Sequence, residues 1–359
     1  MKYIILLIII IGSLLSCAEK EHSEFILVEN FTVPQENHPE WTDLFTENLN
    51  VISLETITSS LIGSIDKIRK FKGDYYICSS DGRYIHRFNS EGKFISSLDK
   101  QGQGPEEYQR IEDFDVYEID GAIEVWICNN HNLKVYDAMD FSYKHQISFP
   151  FVIHKFKRID NSRILLVTAI NDYILTLTDE NGEIISEYLE KEVPFLMFRP
   201  VQFISYKSFN IFQLGISNSF VAFDSNTNTY KRGYFTDRKD LLTDKQLLHS
   251  YEISGMDFLR KANELFYISN IITYNDMIWI HTRNNGKNYL TKYSNGNMIS
   301  TQFSYGSIIS TISIGESDDS ILLYANTEQI ADCKDEIFDK YRIKTDSIPD
   351  DNPYIIEFF

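Results

Sequence analysis

One short stretch of this sequence concentrates carboxylates around a tyrosine and an arginine. Its residues are Glu106, Glu107, Tyr108, Arg110, Glu112, Asp113 and Asp115. A phenol hydroxyl, a guanidinium and a carboxylate all bind polar or charged ligands. Tyr108, Arg110 and Asp113 are therefore candidate ligand-binding residues. A structural interpretation stays open beside this one, in which Tyr108 packs in the interior and Arg110 pairs with a neighbouring carboxylate.

Metal binding and acid–base catalysis are two more specific functions that these residues could have. Polar residues recur on the predicted first strands of the repeating units, which would line a central channel: Asp66, Asp113, His154, Ser205 and Asn270. Oxygen ligands of this kind bind divalent cations, but a water-filled channel needs polar residues equally. Most carboxylates of the acidic stretch are expected to face water and keep ordinary pKa values, and no Gly-x-Ser-x-Gly nucleophile motif occurs. We predict no catalytic residues, no bound metal and no cofactor; a channel-centred metal-dependent lactonase or hydrolase, or a lyase, is the alternative.

The elements that position these residues are clearest between Ile62 and Ile111. Four short runs alternate apolar and polar residues, and the turns between them include Asp81-Gly82 and Glu91-Gly92. The runs are Ile65 to Arg69, Asp74 to Cys78, Tyr84 to Asn89 and Phe94 to Leu98. This pattern predicts one up-and-down four-stranded sheet, which is the unit of a β-propeller blade.

The same pattern recurs along the chain. The residue that ends the third strand of each unit falls at positions with spacings of 48, 41, 46 and 70: Phe88, Tyr136, Leu177, Phe223 and Tyr293. Propeller repeats run about 40 to 50 residues, and the long spacing contains a predicted helical insertion at about 237–263. Five blades are therefore expected, at 65–98, 113–149, 154–189, 201–235 and 266–303.

A sixth blade requires a strand from the other end of the chain. After the fifth blade the sequence predicts strands at Ile308 to Ile314, Ser320 to Tyr324 and Pro353 to Phe359, with a polar helix at about 328–342. These are three strands, and the predicted strand at residues 49–54 supplies the fourth strand of the blade. The ring then has no long unpaired edge. The prediction is an all-β, six-bladed β-propeller over residues 49–359, made of four-stranded antiparallel blades and closed by its N-terminal strand.

The N-terminus predicts export and a lipid anchor. After Lys2 comes an apolar run from Tyr3 to Leu15, and Leu14-Leu15-Ser16-Cys17 resembles the lipobox of bacterial lipoproteins. Residues 1–16 are then a signal peptide, Cys17 is the lipidated residue, and residues 17–48 are a tether and lead-in. An ordinary secretory signal or a membrane anchor are the alternatives. The expected location is the cell envelope, attached to the outer membrane through the lipid.

The net charge bears on the possible partners, and the cysteine positions bear on possible disulfides. A formal charge of −18 disfavours nucleic acid as a partner, because phosphate binding needs a basic patch. Cys78 and Cys128 end equivalent strands of neighbouring blades, where the distance is too long for a disulfide. They are predicted to be buried free thiols.

One loop carries a resemblance to a known family. Gly102-Gln103-Gly104-Pro105-Glu106-Glu107-Tyr108, followed by Asp113-Phe114, resembles a signature of the six-bladed propeller lipoproteins of Bacteroidetes, which are similar to NHL-repeat propellers. Glu106 stands where that family has a second glycine. The resemblance covers residues 49–359 and implies a fold rather than a reaction. The predicted function is a non-catalytic binding or scaffold module for a glycan, a peptide or an envelope protein.

Overall fold

The strands form the six blades of a mainly-β propeller, as the sequence predicted. The computed structural model describes residues 25–32, 40–45, 48–168, 171–191, 198–214, 218–224, 226–227, 229–258, 260, 266–304, 306–332 and 352–359. Two strands precede the first blade: β1 (Phe25–Val28) and β2 (Leu49–Ser53). The predicted signal peptide and Cys17 lie outside the described residues. Among the residues that are described, no helix has the length and apolar character needed to cross a membrane.

The first three blades each have four antiparallel strands in sequence order. Blade one has β3 (Ile65–Phe71), β4 (Asp74–Ser79), β5 (Ile85–Phe88) and β6 (Phe94–Leu98). Blade two has β7 (Asp113–Ile119), β8 (Ala122–Asn129), β9 (Asn132–Asp137) and β10 (Tyr143–Ser148). Blade three has β11 (Lys155–Asp160), β12 (Arg163–Val167), β13 (Tyr173–Asp179) and β14 (Ile184–Glu190).

Blades four and five repeat this order on either side of a helical insertion. Blade four has β15 (Phe203–Tyr206), β16 (Phe209–Gln213), β17 (Ser219–Asp224) and β18 (Thr229–Thr236). Helix α1 (Asp244–Ser254) follows, with a 3-10 turn at Gly255–Asp257. Blade five has β19 (Tyr267–Tyr274), β20 (Met277–Asn284), β21 (Lys287–Ser294) and β22 (Asn297–Phe303). First strands of adjacent blades contact one another (β3 with β7, β7 with β11, β15 with β19), so they line the centre of the ring.

The sixth blade differs from the prediction in its inner strand. Ile308–Ser313 is a 3-10 helix, and the two-residue strand β23 (Gly315–Glu316) pairs in parallel with β3 of blade one. The predicted strand from Ile308 to Ile314 is therefore wrong. Among the described residues, blade six has three strands in the order β2, β25 (Tyr354–Phe358) and β24 (Ile321–Ala325). Closure by the N-terminal strand is confirmed, because β2 pairs with β25 over five residues. The predicted polar helix is described only as α2 (Thr327–Asp332).

Alternation of side chains along each strand fills the spaces between blades. On β4, for example, Tyr76 and Cys78 pack toward blade two, while Tyr75 and Ile77 pack toward blade six. Six clusters of buried side chains result, one at each blade interface. Cys78 and Cys128 lie in two of these clusters as buried free thiols, which confirms the prediction.

The described parts of the N-terminal segment contact each of the last three blades. Strand β1 adds in parallel to the outer edge of blade four, which the sequence analysis did not predict within the 17–48 lead-in. A 3-10 turn at Trp41–Leu44 follows, and Phe45 stacks on Phe358 with ring centroids 4.3 Å apart. Strand β2 then enters blade six. It also contacts Gly92 of blade one, where any Cβ would lie 2.2 Å from the carbonyl oxygen of Ser53. Only glycine fits at that approach.

Candidate functional site

The loop at Gly102 to Tyr108 is held by its own contacts. Tyr108 is fully buried between blades one and two, and its hydroxyl lies 2.8 Å from the carbonyl oxygen of Arg83 and 3.0 Å from that of Leu98. Glu107 accepts a hydrogen bond from the backbone N–H of Gly104 (2.8 Å). Glu106 has no positive φ, so replacing the family's glycine introduces no backbone strain. Tyr108 therefore has the packing role that the structural interpretation describes.

Charged side chains alternate along the first strands of three blades and meet in the channel. Lys67 and Arg69 are on β3, Asp113 and Asp115 on β7, and Lys155 and Lys157 on β11; Glu316 enters from β23. Because residues two apart share one face of a strand, each pair points to the centre. Asp113 and Asp115 are only 5% and 1% exposed, so these two depart from the expectation that most carboxylates of the acidic stretch face water. Ion pairs with lysine and arginine side chains of the neighbouring blades stabilise the two carboxylates in this buried position.

Asp113 and Asp115 each bridge two cations. Asp113 Oδ1 lies 3.2 Å from Lys67 Nζ and 3.5 Å from Lys155 Nζ, and Asp113 Oδ2 accepts the backbone N–H of Phe156 at 3.3 Å. Asp115 pairs with Arg69 at 2.9 Å and with Lys157 at 3.2 Å. Both oxygens of the predicted ligand residue Asp113 are thus engaged within the protein.

Glu316 closes the network from the blade-six side. Its carboxylate lies 3.1 Å from Lys67 Nζ and 2.9 Å from Lys157 Nζ. Burial alone would raise the pKa of Glu316, but the charges of Lys157, Lys67 and Arg69 outweigh it and hold the pKa well below 4.5. The carboxylate is therefore ionised, and the channel at this level is filled by ion pairs.

A cavity of about 180 Å³ lies at the mouth of the channel, next to this network. Its wall includes Asp66, Arg110, His154, Lys155, Phe198 and Arg199. Arg110 is thus the predicted site residue that lines open space, and it lies 3.6 Å from Glu112 on the exposed rim. Lys155 joins the cavity to the ion pairs below, through Asp113.

Burial perturbs three ionisable groups of this cavity. It raises the pKa of Asp66 and lowers that of His154, in each case by disfavouring the charged form. It lowers the pKa of Arg199 to about 9. The His154 ring stacks on Phe198 at 4.7 Å, and its buried Nε2 has no hydrogen-bond partner among the described residues.

Asn270 belongs to a separate amide cluster on blades four and five. Its side-chain oxygen accepts a hydrogen bond from Gln213 Nε2 at 2.9 Å, and Gln213 Oε1 accepts one from Arg199 at 2.6 Å. The four residues considered for a metal are thus divided between the cavity (Asp66, His154), the ion pairs (Asp113) and this cluster. Within the described part of the chain, no three His, Cys, Asp or Glu side chains are grouped as metal ligands.

Sequence reasoning missed the cationic half of the channel. The signal was present as three alternating pairs, Lys-x-Arg at 67–69, Asp-x-Asp at 113–115 and Lys-x-Lys at 155–157, at equivalent places on consecutive first strands. Phe198 and Arg199 precede blade four, and nothing in their local sequence indicates the cavity.

Comparisons with known proteins find a matching family model and solved structures of similar fold. A family model described as "domain of unknown function (DUF4934)" matches residues 32–357. A "putative exported protein" from Bacteroides fragilis superposes with a TM-score of 0.72 at 15% identity, over 90% of this chain and 98% of that one. A member of the DUF4221 family from Bacteroides vulgatus superposes with a TM-score of 0.55 at 10% identity, over 87% and 95%. A comparison with curated proteins finds no match. At these identities the two structures show a shared fold.

Proposed function

This chain belongs to the family described as domain of unknown function DUF4934, and from its channel geometry we propose that it is a non-catalytic binding module of the cell envelope. Its ligand is a small polar molecule, such as one sugar unit of a glycan, held in the cavity at the channel mouth. The observation that carries this proposal is the combination of a polar cavity with a channel filled by ion pairs beneath it. A ligand there enters from one face and meets several blades at once.

The size and lining of the cavity favour a sugar over a larger partner. Drug-sized ligands occupy pockets of roughly 300 to 1,000 Å³, so a cavity of about 180 Å³ suits a single ring. Phe198 is 40% exposed and offers an aromatic face, while Asp66 and Glu112 offer oxygens to hydroxyl groups. A peptide or an envelope protein would insert one side chain at most.

Attachment outside the cytoplasm is part of the proposal. It is supported by the lipobox-like sequence at Cys17 and by the shared fold with the "putative exported protein" of Bacteroides fragilis. We expect Cys17→Ala to abolish incorporation of labelled palmitate in a bacterial host, because acylation requires the thiol. Cys78→Ala, which removes a buried thiol, is the matched control and should keep the label. Label on the Cys17→Ala protein would contradict the anchor.

An acid–base enzyme is the second candidate, and one observation favours it. Asp66 and His154 line the same cavity with their pKa values shifted in opposite directions, toward the neutral form of each. Such pairs are found at catalytic sites. A lyase or hydrolase acting at this cavity would use these two residues rather than Asp113, whose oxygens are engaged.

The experiment is a binding screen on the purified full chain in detergent. Monosaccharides, disaccharides and short peptides are titrated by calorimetry, and Phe198→Ala is expected to weaken the affinity for a sugar by about tenfold through loss of ring packing. Tyr173→Ala removes an aromatic of similar exposure on the third strand of blade three and should bind like the wild type. No binding, or equal binding by Phe198→Ala, would contradict the proposal. Turnover of a screened compound, lost in Asp66→Asn, would favour the enzyme.

A further inference from the structure

We propose that the outer edge of blade five pairs with the same edge of a second copy of this chain. The edge is formed by β22, which is the terminal strand of its sheet. In the dimer, the two β22 strands run antiparallel about a two-fold axis at Ser300, and the two fifth blades form one continuous sheet. This inference is independent of the binding function proposed for the channel-mouth cavity.

The outer edges of blades one and four are covered by other segments of the chain. A terminal strand presents a row of backbone N–H and C=O groups that can pair with another strand, unless it is blocked. In blade one, the backbone N–H of Phe94, the first residue of β6, donates to Glu55 Oε2 at 3.1 Å. In blade four, β1 pairs in parallel with β18. Blade four thus shows that an outer edge of this propeller accepts an added strand.

The outer strands of blades two, three and six are less suited to pairing. The register of β10 shifts between Tyr143 and His145. The register of β14 also shifts, and this strand has exposed carboxylates at Glu187 and Glu190. Strand β2 of blade six has five residues, of which the exposed one is Asn50. Bulges, charges and short length each disfavour the addition of a strand.

Strand β22 has none of these features within the part of the chain that the structure describes. It has seven residues without a charge, and it pairs with β21 without a shift in register. Ile299, near its centre, is 41% exposed. The turn at Trp41–Leu44 also contacts β22, but Trp279 of β20 donates its indole N–H to the carbonyl oxygen of Leu44, so this segment lies over the face of the sheet. The edge is therefore straight, neutral and partly apolar.

The sequence of β22 favours a second copy over a different partner. Pairing about Ser300 gives three further kinds of opposed residues, all uncharged: Ile299 with Thr301, Met298 with Gln302, and Asn297 with Phe303. Opposed β-branched side chains stabilise a sheet, and the same patch serves both copies, as a two-fold interface requires. A formal charge of −18 opposes self-association elsewhere on the surface, whereas a neutral strand brings no like charges together.

The first test is a disulfide at the proposed axis. Directly opposed residues of antiparallel strands have Cα atoms about 4.5 to 5.5 Å apart, which suits a disulfide. The full chain with Ser300→Cys, oxidised with copper phenanthroline in the membranes that carry it, is expected to give a covalent dimer. Ser186→Cys, at a half-buried position of β14, is the matched control. It should stay monomeric, as should the wild type, which reports on the native thiols.

The second test places a charge at the edge. Ile299→Lys brings two ammonium groups close together in the dimer and is expected to raise its dissociation constant by about tenfold. The variant should keep its fold, because Ile299 is 41% exposed. Ile185→Lys, at a position of β14 that is 47% exposed, is the matched control and should dimerise like the wild type. Sedimentation equilibrium of the purified full chain in density-matched detergent measures the dissociation constant, and circular dichroism checks the fold.

The outcomes decide between the possible occupants of the edge. A wild-type protein that sediments as a monomer up to the highest concentration overturns the proposal. So does a dimer that Ile299→Lys leaves unchanged, or crosslinking of Ser300→Cys no stronger than that of Ser186→Cys. Crosslinking of Ser300→Cys to another envelope protein, without a dimer, overturns the second copy in favour of a different partner. The crosslinking result stands even if Ile299→Lys does not fold.

Discussion

Replacing Glu316 with alanine is expected to lower the free energy of unfolding by about 3 to 5 kcal/mol, the usual effect of removing one partner from a buried ion pair. The carboxylate lies between Lys67 and Lys157, whose side chains are 6% and 14% exposed. Without it, these ammonium groups stay buried with less compensating charge. Urea denaturation of the two proteins at pH 7 measures the difference.

Asp318→Ala is the matched control for this prediction. Asp318 is two residues away and also pairs with a cation of the network, Arg69, but its side chain is 74% exposed. Exposed pairs contribute about 0 to 1 kcal/mol, so this variant should be close to the wild type. A loss for Glu316→Ala no larger than that for Asp318→Ala would show that the network contributes little to stability.

The pH dependence gives the same prediction a second readout. A carboxylate whose pKa is lowered by folding adds stability above its unfolded pKa, and this stability is lost as the pH falls through the folded value. For Glu316 the folded pKa lies well below 4.5. The difference in unfolding free energy between the wild type and Glu316→Gln should therefore be complete at pH 7 and shrink under acid conditions below pH 4.5. A difference that grows on acidification would contradict the ionised carboxylate.

The network also changes how variants of Asp113 should be interpreted. Asp113 holds Lys67 and Lys155 in the interior, so Asp113→Ala leaves both with less compensating charge and is expected to destabilise the channel. Loss of activity in that variant would not identify a metal ligand. Asp66 is the better residue for a test of chemistry, because it lines the cavity and lies outside these ion pairs.

The blades were predictable because two local signals agree along the chain. Apolar residues alternate with period two, and the turns between strands contain glycine with positive φ, as at Gly82, Gly92 and Gly182. Alternate residues of a strand then pack on opposite neighbouring blades. The period-two apolar pattern therefore determines both the strand register and which side chains are buried. The bounds of β3 to β22 accordingly lie within a few residues of the predicted ones.

The predictions failed where distant contacts decide the local structure. Ile308, Ile309 and Ile312 are β-branched and suggest a strand, yet their spacing also suits one face of a helical turn, and all three are buried. Thr311 decides between the two, since its hydroxyl donates to the carbonyl oxygen of Ile308 and accepts the backbone N–H of Tyr324. Tertiary context overrides the intrinsic preference here.

The candidate site was only half predictable for a related reason. Arg110 was recognised in the acidic stretch, whereas Lys155 and Arg199 come from later blades and reach the cavity only when the ring is formed. A search for charged residues two apart on equivalent strands would have found Lys155, because the pattern repeats at the blade spacing. Arg199 follows blade three outside any strand, and its position depends on contacts such as the hydrogen bond to Gln213, which is distant in sequence.

Deletion of residues 49–54 is expected to have the largest effect of all, because it opens the ring. Strand β2 pairs with β25 from Leu49 opposite Phe358 to Ser53 opposite Tyr354, and Ile52 and Leu54 are buried between blades six and one. Loss of the ladder at about 1 kcal/mol per hydrogen bond, together with about 2 kcal/mol per buried side chain, amounts to roughly 5 to 10 kcal/mol.

The loss in unfolding free energy should exceed the sum of these contacts, because Leu44 and Phe45, which precede β2, also pack on blades five and six. Without β2, the edge of β25 is exposed as an unpaired strand, and the deletion variant should aggregate as well as melt at a lower temperature. Asn50→Ala, at an exposed position of the same strand, is the matched control and should melt like the wild type. Thermal unfolding followed by circular dichroism, with light scattering, measures both effects. An unchanged melting temperature after deletion would mean that blade six holds together as β24 and β25 alone, and that closure depends on β23 and its ion pairs with blades one and three.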